Sequence, residues 1–537
     1  MFAVSRVSPA KIPAAACLSR SVLAGCIGAT PPRLAALPIR RLTSSSSSSP
    51  VATSTSSFAQ LLAQAIQSTG PMPVSTWMTR CLLDPVYGYY SSSSSADKSP
   101  IFGAKGDFIT SPDISQVFGE LLAIWFLTRF QPVAAAAAAD TSTSPRPLRA
   151  RLVELGPGRG ALLSDMLRTF SNFPSLLRAL TSIDLVETSP TLRKLQRSVL
   201  ESICAKLGKK PVFIEDQEDV EETKTEEEQS GDEREIRVRW YDRPESIPVR
   251  PDVWTAVVAH EFFDALPINI FERTGSGWRE IFVDIKRHST TALGIREERT
   301  RNSAITVLRP PSSSPSLISS PKPLSSLSTT DPEFALTLSP GPTPLAHLLA
   351  ASNARFDAYA PGQRVEVSAE AWAAARAVGR LVSGRKDEGE VEEGEKFVGG
   401  AGLIVDYGGE QAFSDSFRAF RHHQLADPLQ NPGKQDLTAN VDFTHIRSAI
   451  EAGGATTHPL ATQQSFLLHL GLQPRLEVLL RSAPDDARRK LIESGAERLV
   501  EGGKVGMGET FKVLGITAGA SDAGEQEGVY PFGLESK

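Results

Sequence analysis

Val153-Glu-Leu-Gly-Pro-Gly-Arg-Gly160 is the stretch on which the fold turns. The apolar run Leu148–Leu155 that leads into it reads as a strand, and the residues from Ala161 to about Phe170 read as a helix. Glycines at this junction permit a tight turn with unusual dihedrals and let a ligand approach the backbone. The helix start then offers free N–H groups. The spacing Gly156, Gly158, Ala161 also satisfies the dinucleotide fingerprint, whose last position accepts Gly or Ala. Glu154, Gly156, Gly158 and Gly160, however, fill the acid-x-Gly-x-Gly-x-Gly pattern of a methyltransferase. A carboxylate at the strand end suits a cofactor that is cationic at sulfur and amine, and repels a pyrophosphate. Pro157 removes an N–H that a phosphate would use. Glu187, at the end of the next predicted strand, can bind both ribose hydroxyls of either cofactor class. The pattern therefore points to S-adenosyl-L-methionine, with a purely structural glycine turn as the alternative.

Working outward, Ser182–Val186, Ile236–Trp240, Val253–Ala259, Gly402–Tyr407 and Thr510–Thr517 read as strands, and Thr191–Ala205 as a helix. Val253–Ala259 is almost unbroken apolar sequence, as expected of a parallel strand buried on both faces. Strands alternating with helices predict an α/β fold: a class I methyltransferase Rossmann-like core with a mostly parallel sheet flanked by helices. Helical parts are added at both ends. Phe58, Leu61, Leu62, Ala65 and Ile66 recur at helical spacing before Gly70-Pro71, a second apolar helix is expected over Ile114–Phe130, and a helical region over 443–500.

The predicted organisation is a leader over 1–43, a Ser-rich linker over 44–56, an N-terminal helical part with a cofactor-covering loop over 57–147, a core over 148–517 and a tail over 518–537. Val133–Pro147, Glu215–Glu235, Ser303–Pro342 and Arg385–Lys396 read as solvated loop inserts, because such compositions bury too little apolar area to offset the entropy of ordering.

Hydrophobic residues make up 40% of the 537, and the net charge is −5. No basic stripe suggests nucleic acid. Of four cysteines, Cys17 and Cys26 fall in the leader, while Cys81 and Cys204 have no CxxC spacing, so neither a zinc site nor a disulfide framework is expected. No segment is expected to span a membrane; the apolar run Val22–Ala29 is short of the about 20 residues required.

As a set, several segments resemble one family: Asp84-Pro-Val-Tyr-Gly-Tyr-Tyr90, Gly106-Asp-Phe-Ile-Thr-Ser-Pro112, Val153–Gly160, Leu185-Val-Glu-Thr-Ser189, Ala259-His-Glu-Phe-Phe-Asp-Ala-Leu-Pro267, Leu403-Ile-Val-Asp-Tyr-Gly408 and Asp436-Leu-Thr-Ala-Asn-Val-Asp-Phe443. In this order they resemble the mitochondrial complex I assembly factor 7 family, also called MidA-like. The resemblance implies a matrix enzyme that forms symmetric dimethylarginine on a core subunit of respiratory complex I, as a step in its assembly. It implies Glu154, Gly156, Gly158, Gly160 and Glu187 as cofactor positions, and Gly106, Asp107 and Thr110 as a loop over the cofactor. The double-glutamate hairpin of the main protein arginine methyltransferases is not found, so the arginine substrate rests on the resemblance. Two alternatives stay open: an assembly chaperone whose methylation is secondary, and an NAD-dependent oxidoreductase.

Glu261 and Asp264, in His260-Glu-Phe-Phe-Asp264, are the candidate catalytic pair. They follow a strand at the carboxyl edge of the sheet, where such folds bind ligands. If the segment is helical they share a face, and capping a helix start is the alternative role. A truncated zinc motif fits less well, with Asp at position 264 and no third ligand. Asp406-Tyr407 is a further candidate for holding substrate, Asp442 reads as a helix N-cap, and His422 and His423 as packing or surface residues.

Arg6, Lys11, Arg20, Arg33, Arg40 and Arg41 all precede the first acid, Asp84. An Arg- and Ser-rich, acid-free start is a transit-peptide pattern. The mature N-terminus is expected between about Leu42 and Ser57. Terminal sequencing of protein from purified mitochondria checks this, and an intact Met1 would refute it.

Overall fold

Seven long strands, the central ones buried on both faces, build the main sheet of the computed structural model, which describes residues 57–91, 110–139, 147–214, 234–286, 331–385, 397–422, 424–503, 506–518 and 529–534. They are β1 (Arg149–Leu155), β2 (Leu180–Val186), β3 (Lys210–Ile214), β4 (Glu235–Tyr241), β5 (Val253–His260), β6 (Gly400–Gly409) and β7 (Phe511–Ala518). Across the sheet they run β3-β4-β2-β1-β5-β6-β7. All neighbours are parallel except β6 and β7. From β1 the chain builds one side of the sheet, with β4 inserted between β2 and the edge strand β3, and resumes on the other side of β1 with β5. That reversal opens a crevice at the carboxyl ends of β1 and β5, where ligands bind in open α/β sheets.

Helices cover both faces. Gln116–Ala139, Ala161–Phe170 and Pro190–Lys206 bury Phe118, Trp125, Leu163, Met166 and Leu200 on one side. Ala369–Ser383 and Phe443–Ala452 bury Val378, Leu381, Phe443 and Ile446 on the other. Within the sheet, Arg151 of β1 is fully buried; it lies 3.4 Å from Asp184 of β2 and donates to Pro248 O at 2.7 Å. Burial lowers its guanidinium to about 10, and those partners keep the buried charge tolerable.

A third hydrophobic cluster lies in a part that the sequence reading did not anticipate. Antiparallel strands 269–274, 277–285, 334–338 and 364–367 pair with one another, and 277–285 also pairs with 72–73. Helices Phe58–Thr69 and Val74–Leu83 share a core with this sheet through Leu62, Trp77, Met78, Ile281 and Val283.

Three expectations need correction. Gln116–Ala139 continues through Pro132 and Val133, so the expected insert at Val133–Pro147 begins as helix; alanine, which fills the segment, is the best helix former. That helix is also the one among the described residues long and apolar enough to cross a membrane, although no span was expected. Its apolar residues pack in the core, and its buried Glu120 accepts from Arg475 Nε at 2.7 Å. Ser303–Pro342 is not insert throughout: Phe334–Leu338 is a strand, with Phe334 set 4.7 Å from Trp77 between ring centroids. Its alternating apolar residues were masked by the Ser/Pro composition around them. Finally, the tail contributes to the core, since Val529 and Phe532 are buried. The other inserts lie almost entirely outside the described residues.

Candidate active site

The glycine turn leaves β1 with Gly156 at φ +67°, Gly158 at φ +52° and Gly160 at φ +82°, the left-handed region that glycine adopts at no steric cost. Gly156 N donates to Val186 O at 3.0 Å, tying the turn to β2. A Cβ on Gly156 would stand 3.0 Å from the Phe262 ring. Glu154 is 3% exposed, and its Oε2 has no hydrogen-bond partner in the protein. Burial pushes its carboxyl up to about 8.

Glu187 follows β2. Its Oε1 accepts from Ser189 N at 2.8 Å and its Oε2 from Gln196 Nε2 at 3.1 Å; burial still raises its carboxyl. The same Gln196 amide donates to Gly158 O at 2.7 Å, and its oxygen accepts from Trp240 Nε1 at 2.8 Å. Gln196 thus braces the glycine turn against Glu187. The sequence reading missed it, because one amide in a helix carries no motif.

Residues 261–268 form a turn rather than a helix. Glu261 sits at φ +50°, a conformation that a non-glycine residue holds only when its surroundings fix it. Asp406, fully buried at the end of β6, provides that fixing: Oδ2 accepts from Phe263 N at 3.0 Å and Asp264 N at 3.3 Å, while Oδ1 accepts from Tyr407 N at 2.9 Å. Two sequence expectations change. Glu261 and Asp264 neither share a helical face nor cap a helix here. Asp406 acts beneath the site, while Tyr407 lines it and donates a hydrogen bond to Asp264 Oδ2. Asp442 does cap Phe443–Ala452, accepting from Thr444 N and His445 N.

One cavity of about 590 Å³ joins these parts, within the roughly 300–1,000 Å³ typical of ligand sites. Glu154, Gly158 and Glu187 line one region, and Glu261, Asp264 and Tyr407 also line it. Thr110 lines it as well, whereas Gly106 and Asp107 lie outside the described residues. Glu261 Oε1 and Asp264 Oδ1 have no hydrogen-bond partner in the protein. Burial, then Asp264, Asp436 and Asp113, push the Glu261 carboxyl well up. Burial raises Asp264 to about 6 against the opposing pull of Tyr407 and Arg418. His260 is held neutral, its pKa lowered to about 3 by burial; its ring packs 5.0 Å from Phe118.

Residues 121–460 match the family described as "Putative S-adenosyl-L-methionine-dependent methyltransferase". The chain belongs to this family. Among its relatives is protein arginine methyltransferase NDUFAF7, mitochondrial, of Danio rerio, 34% identical over 460 residues that cover 85% of each chain. The protein of the same name from Homo sapiens is 32% identical over 84% of this chain and 81% of that one. The fold is shared with a superfamily member from Burkholderia thailandensis whose crystal structure holds S-adenosyl-homocysteine, at TM-score 0.55 and 22% identity, over 86% of this chain and 91% of the other. The chain is thus an S-adenosyl-L-methionine-dependent methyltransferase, and the oxidoreductase alternative falls. The site agrees: an orphaned buried carboxylate beside a glycine turn suits a cationic cofactor, not a pyrophosphate.

Asp406→Ala would leave three buried N–H groups without their acceptor. At about 1–3 kcal/mol for each unsatisfied group, the folded state is expected to lose at least about 3 kcal/mol. Urea denaturation measures this; an unchanged midpoint would show that the turn is held by other contacts.

Proposed function

We propose that this enzyme methylates arginine side chains of a protein, forming symmetric dimethylarginine on a core subunit of respiratory complex I in the mitochondrial matrix. The observation that carries the arginine reading is the pair of cavity-lining carboxylates, Glu261 and Asp264, each with a buried oxygen that no hydrogen bond satisfies, Glu261 Oε1 having only the neutral His260 ring 3.4 Å away. Burying a carboxylate oxygen without a hydrogen bond is costly; a planar cation with several N–H donors offsets that cost. The relatives' printed names, which are those of mitochondrial protein arginine methyltransferases, support the substrate class and the compartment. The complex I subunit and the symmetric product rest on the family resemblance.

In this reading Glu154 faces the cationic part of the cofactor, Glu187 takes the ribose hydroxyls, and Gly156, Gly158 and Gly160 keep the turn free of side chains. Thr110 borders the cofactor side. The cofactor, when bound, supplies an electrophilic methyl group on a sulfonium sulfur. Glu261 and Asp264 hold the guanidinium, which stays protonated at neutral pH. Their negative charge draws its positive charge toward the nitrogens they contact and leaves the remaining nitrogen richer in electrons. Alignment of that nitrogen by the fixed turn supplies much of the rate. The proton released by the methylated nitrogen passes to Asp264, whose carboxyl near 6 suits a base at neutral pH.

Two outcomes follow. Glu154 is largely protonated in the free enzyme at pH 7, because its pKa of about 8 lies above that pH. An adjacent cation favours the charged form and lowers that value. Cofactor binding at pH 7 is therefore expected to release about one proton and to tighten as pH rises toward 8, then level off. Calorimetry in buffers of different ionisation enthalpy detects the release. Glu154→Gln should abolish it, and its absence from the wild-type protein would remove Glu154 from the cofactor site.

Glu261→Gln and Asp264→Asn should each keep the fold and the cofactor affinity while slowing methyl transfer by about 100-fold or more, the scale for loss of one preorganised electrostatic partner. Single-turnover transfer of labelled methyl to an arginine peptide at saturating cofactor decides it. Near-normal rates in both variants would rule the pair out.

A further inference from the structure

Two sequence segments that the cofactor site leaves unused meet at the cavity wall. Tyr90 ends Asp84–Tyr90, and Asp436 opens Asp436–Phe443. Tyr90 Oη donates to Asp436 Oδ1 at 2.8 Å, and both residues line the cavity that Glu261 and Asp264 line. Each partner is anchored from behind. Tyr90 N donates to Leu82 O at 3.0 Å and Tyr89 N to Cys81 O at 2.9 Å, fixing the aromatic pair to the end of helix Val74–Leu83. Asp436 is 6% exposed and starts a strand paired with 418–421.

Asp436 stands close enough to Glu261 to hold that carboxyl in its neutral form more strongly, and it acts on the Tyr90 hydroxyl in the same sense. The nearby cation, Arg418, eases Asp264 but spends its own hydrogen bonds on other groups: it lies 4.9 Å from the centroid of the Tyr407 ring and donates to Asn440 Oδ1 at 2.8 Å and Ser416 O at 3.0 Å. The cavity wall therefore gathers three carboxylates, Glu261, Asp264 and Asp436, from two separate chain segments, and Asp264, 6% exposed, keeps Oδ1 without a hydrogen-bond partner. Such an arrangement is matched by a ligand that brings positive charge and several N–H donors at once.

We infer that Asp436 is a third carboxylate of the substrate site, held in orientation by Tyr90, and that the pair selects a guanidinium over a neutral side chain of the same shape. This rests on the arginine reading above. A guanidinium carries five N–H donors in a fixed plane, more than two carboxylates fill by edge contacts alone. Asp436 binds substrate; Tyr90 is a positioning residue that fixes the plane of its carboxylate.

The test uses the full chain, a short single-arginine peptide, and the same peptide with citrulline as a neutral competitor. Asp436→Asn should raise KM for the arginine peptide about tenfold or more, with cofactor affinity unchanged and a smaller effect on kcat. The preference for arginine over citrulline in competitive binding should narrow by a similar factor. Tyr90→Phe keeps the carboxylate but loses its tether, so KM should rise less, by several-fold. Tyr90→Phe also carries the test if Asp436→Asn does not fold. A wild-type enzyme that methylates the arginine peptide, with variants equal to it in KM and discrimination, overturns this inference and leaves the arginine reading standing. A wild-type enzyme inert toward the peptide, and indifferent between arginine and citrulline, overturns both.

Discussion

The carboxylate of Asp406 accepts three backbone N–H groups at the point where β5 gives way to the 261–268 turn and β6 ends. The 261–264 segment of the substrate side depends on that contact, together with the bond from Glu261 N to Val405 O at 3.0 Å. Glu261 keeps a left-handed backbone because the chain just beyond it is pinned. Asp264 presents its carboxyl to the cavity because its own N–H is taken from below. Gln196 plays the matching part on the cofactor side, where one amide joins the glycine turn, Glu187 and Trp240. Neither brace meets the ligands in this reading, yet each sets where a ligand-facing group stands.

Electrostatically the cavity is unfinished without its ligands. Glu154, Glu261 and Asp264 are all raised, with burial as the leading cause. The free protein tolerates Glu154 by holding a proton on it, whereas Asp264, near 6 and eased by Tyr407 and Arg418, is mostly ionised at neutral pH. A cationic cofactor and a cationic side chain reverse the protonation of Glu154 and Glu261, which no cation among the described residues offsets, whereas Arg418 already acts on Asp264 and Arg159 and Arg243 also line the wall.

Much of the scaffold was legible because its physics is local. β1, β2, β4, β5, β6 and β7 are apolar runs bounded by turns, and the glycine motif with Glu187 announces a nucleoside site from residue types alone. What escaped notice depends on long-range contact. β3 is an edge strand containing Pro211 and has little apolar periodicity. The antiparallel sheet draws strands from residues 72–73 to 364–367, and its member Phe334–Leu338 hides in a Ser/Pro-rich stretch. The position of Glu261 and Asp264 was found, but their local conformation was not, since helix or turn is decided by Asp406 some 140 residues later. Tyr90 and Asp436 lie 346 residues apart, and no spacing rule connects them.

The packing of the last described residues bears on how the chain is made. Phe532 lies so close over β7 that a Cβ on Gly515 would come within 2.2 Å of its ring. Its neighbour Tyr530 offers its carbonyl to Trp125 Nε1 at 3.1 Å. A helix near the start of the fold is thus completed by residues at its end. During N-to-C synthesis, or threading through a translocation channel, the Trp125 face stays uncovered until those residues emerge. Over that interval the exposed indole is a handle for a holding chaperone, and a chain that stops short of residue 530 keeps displaying it.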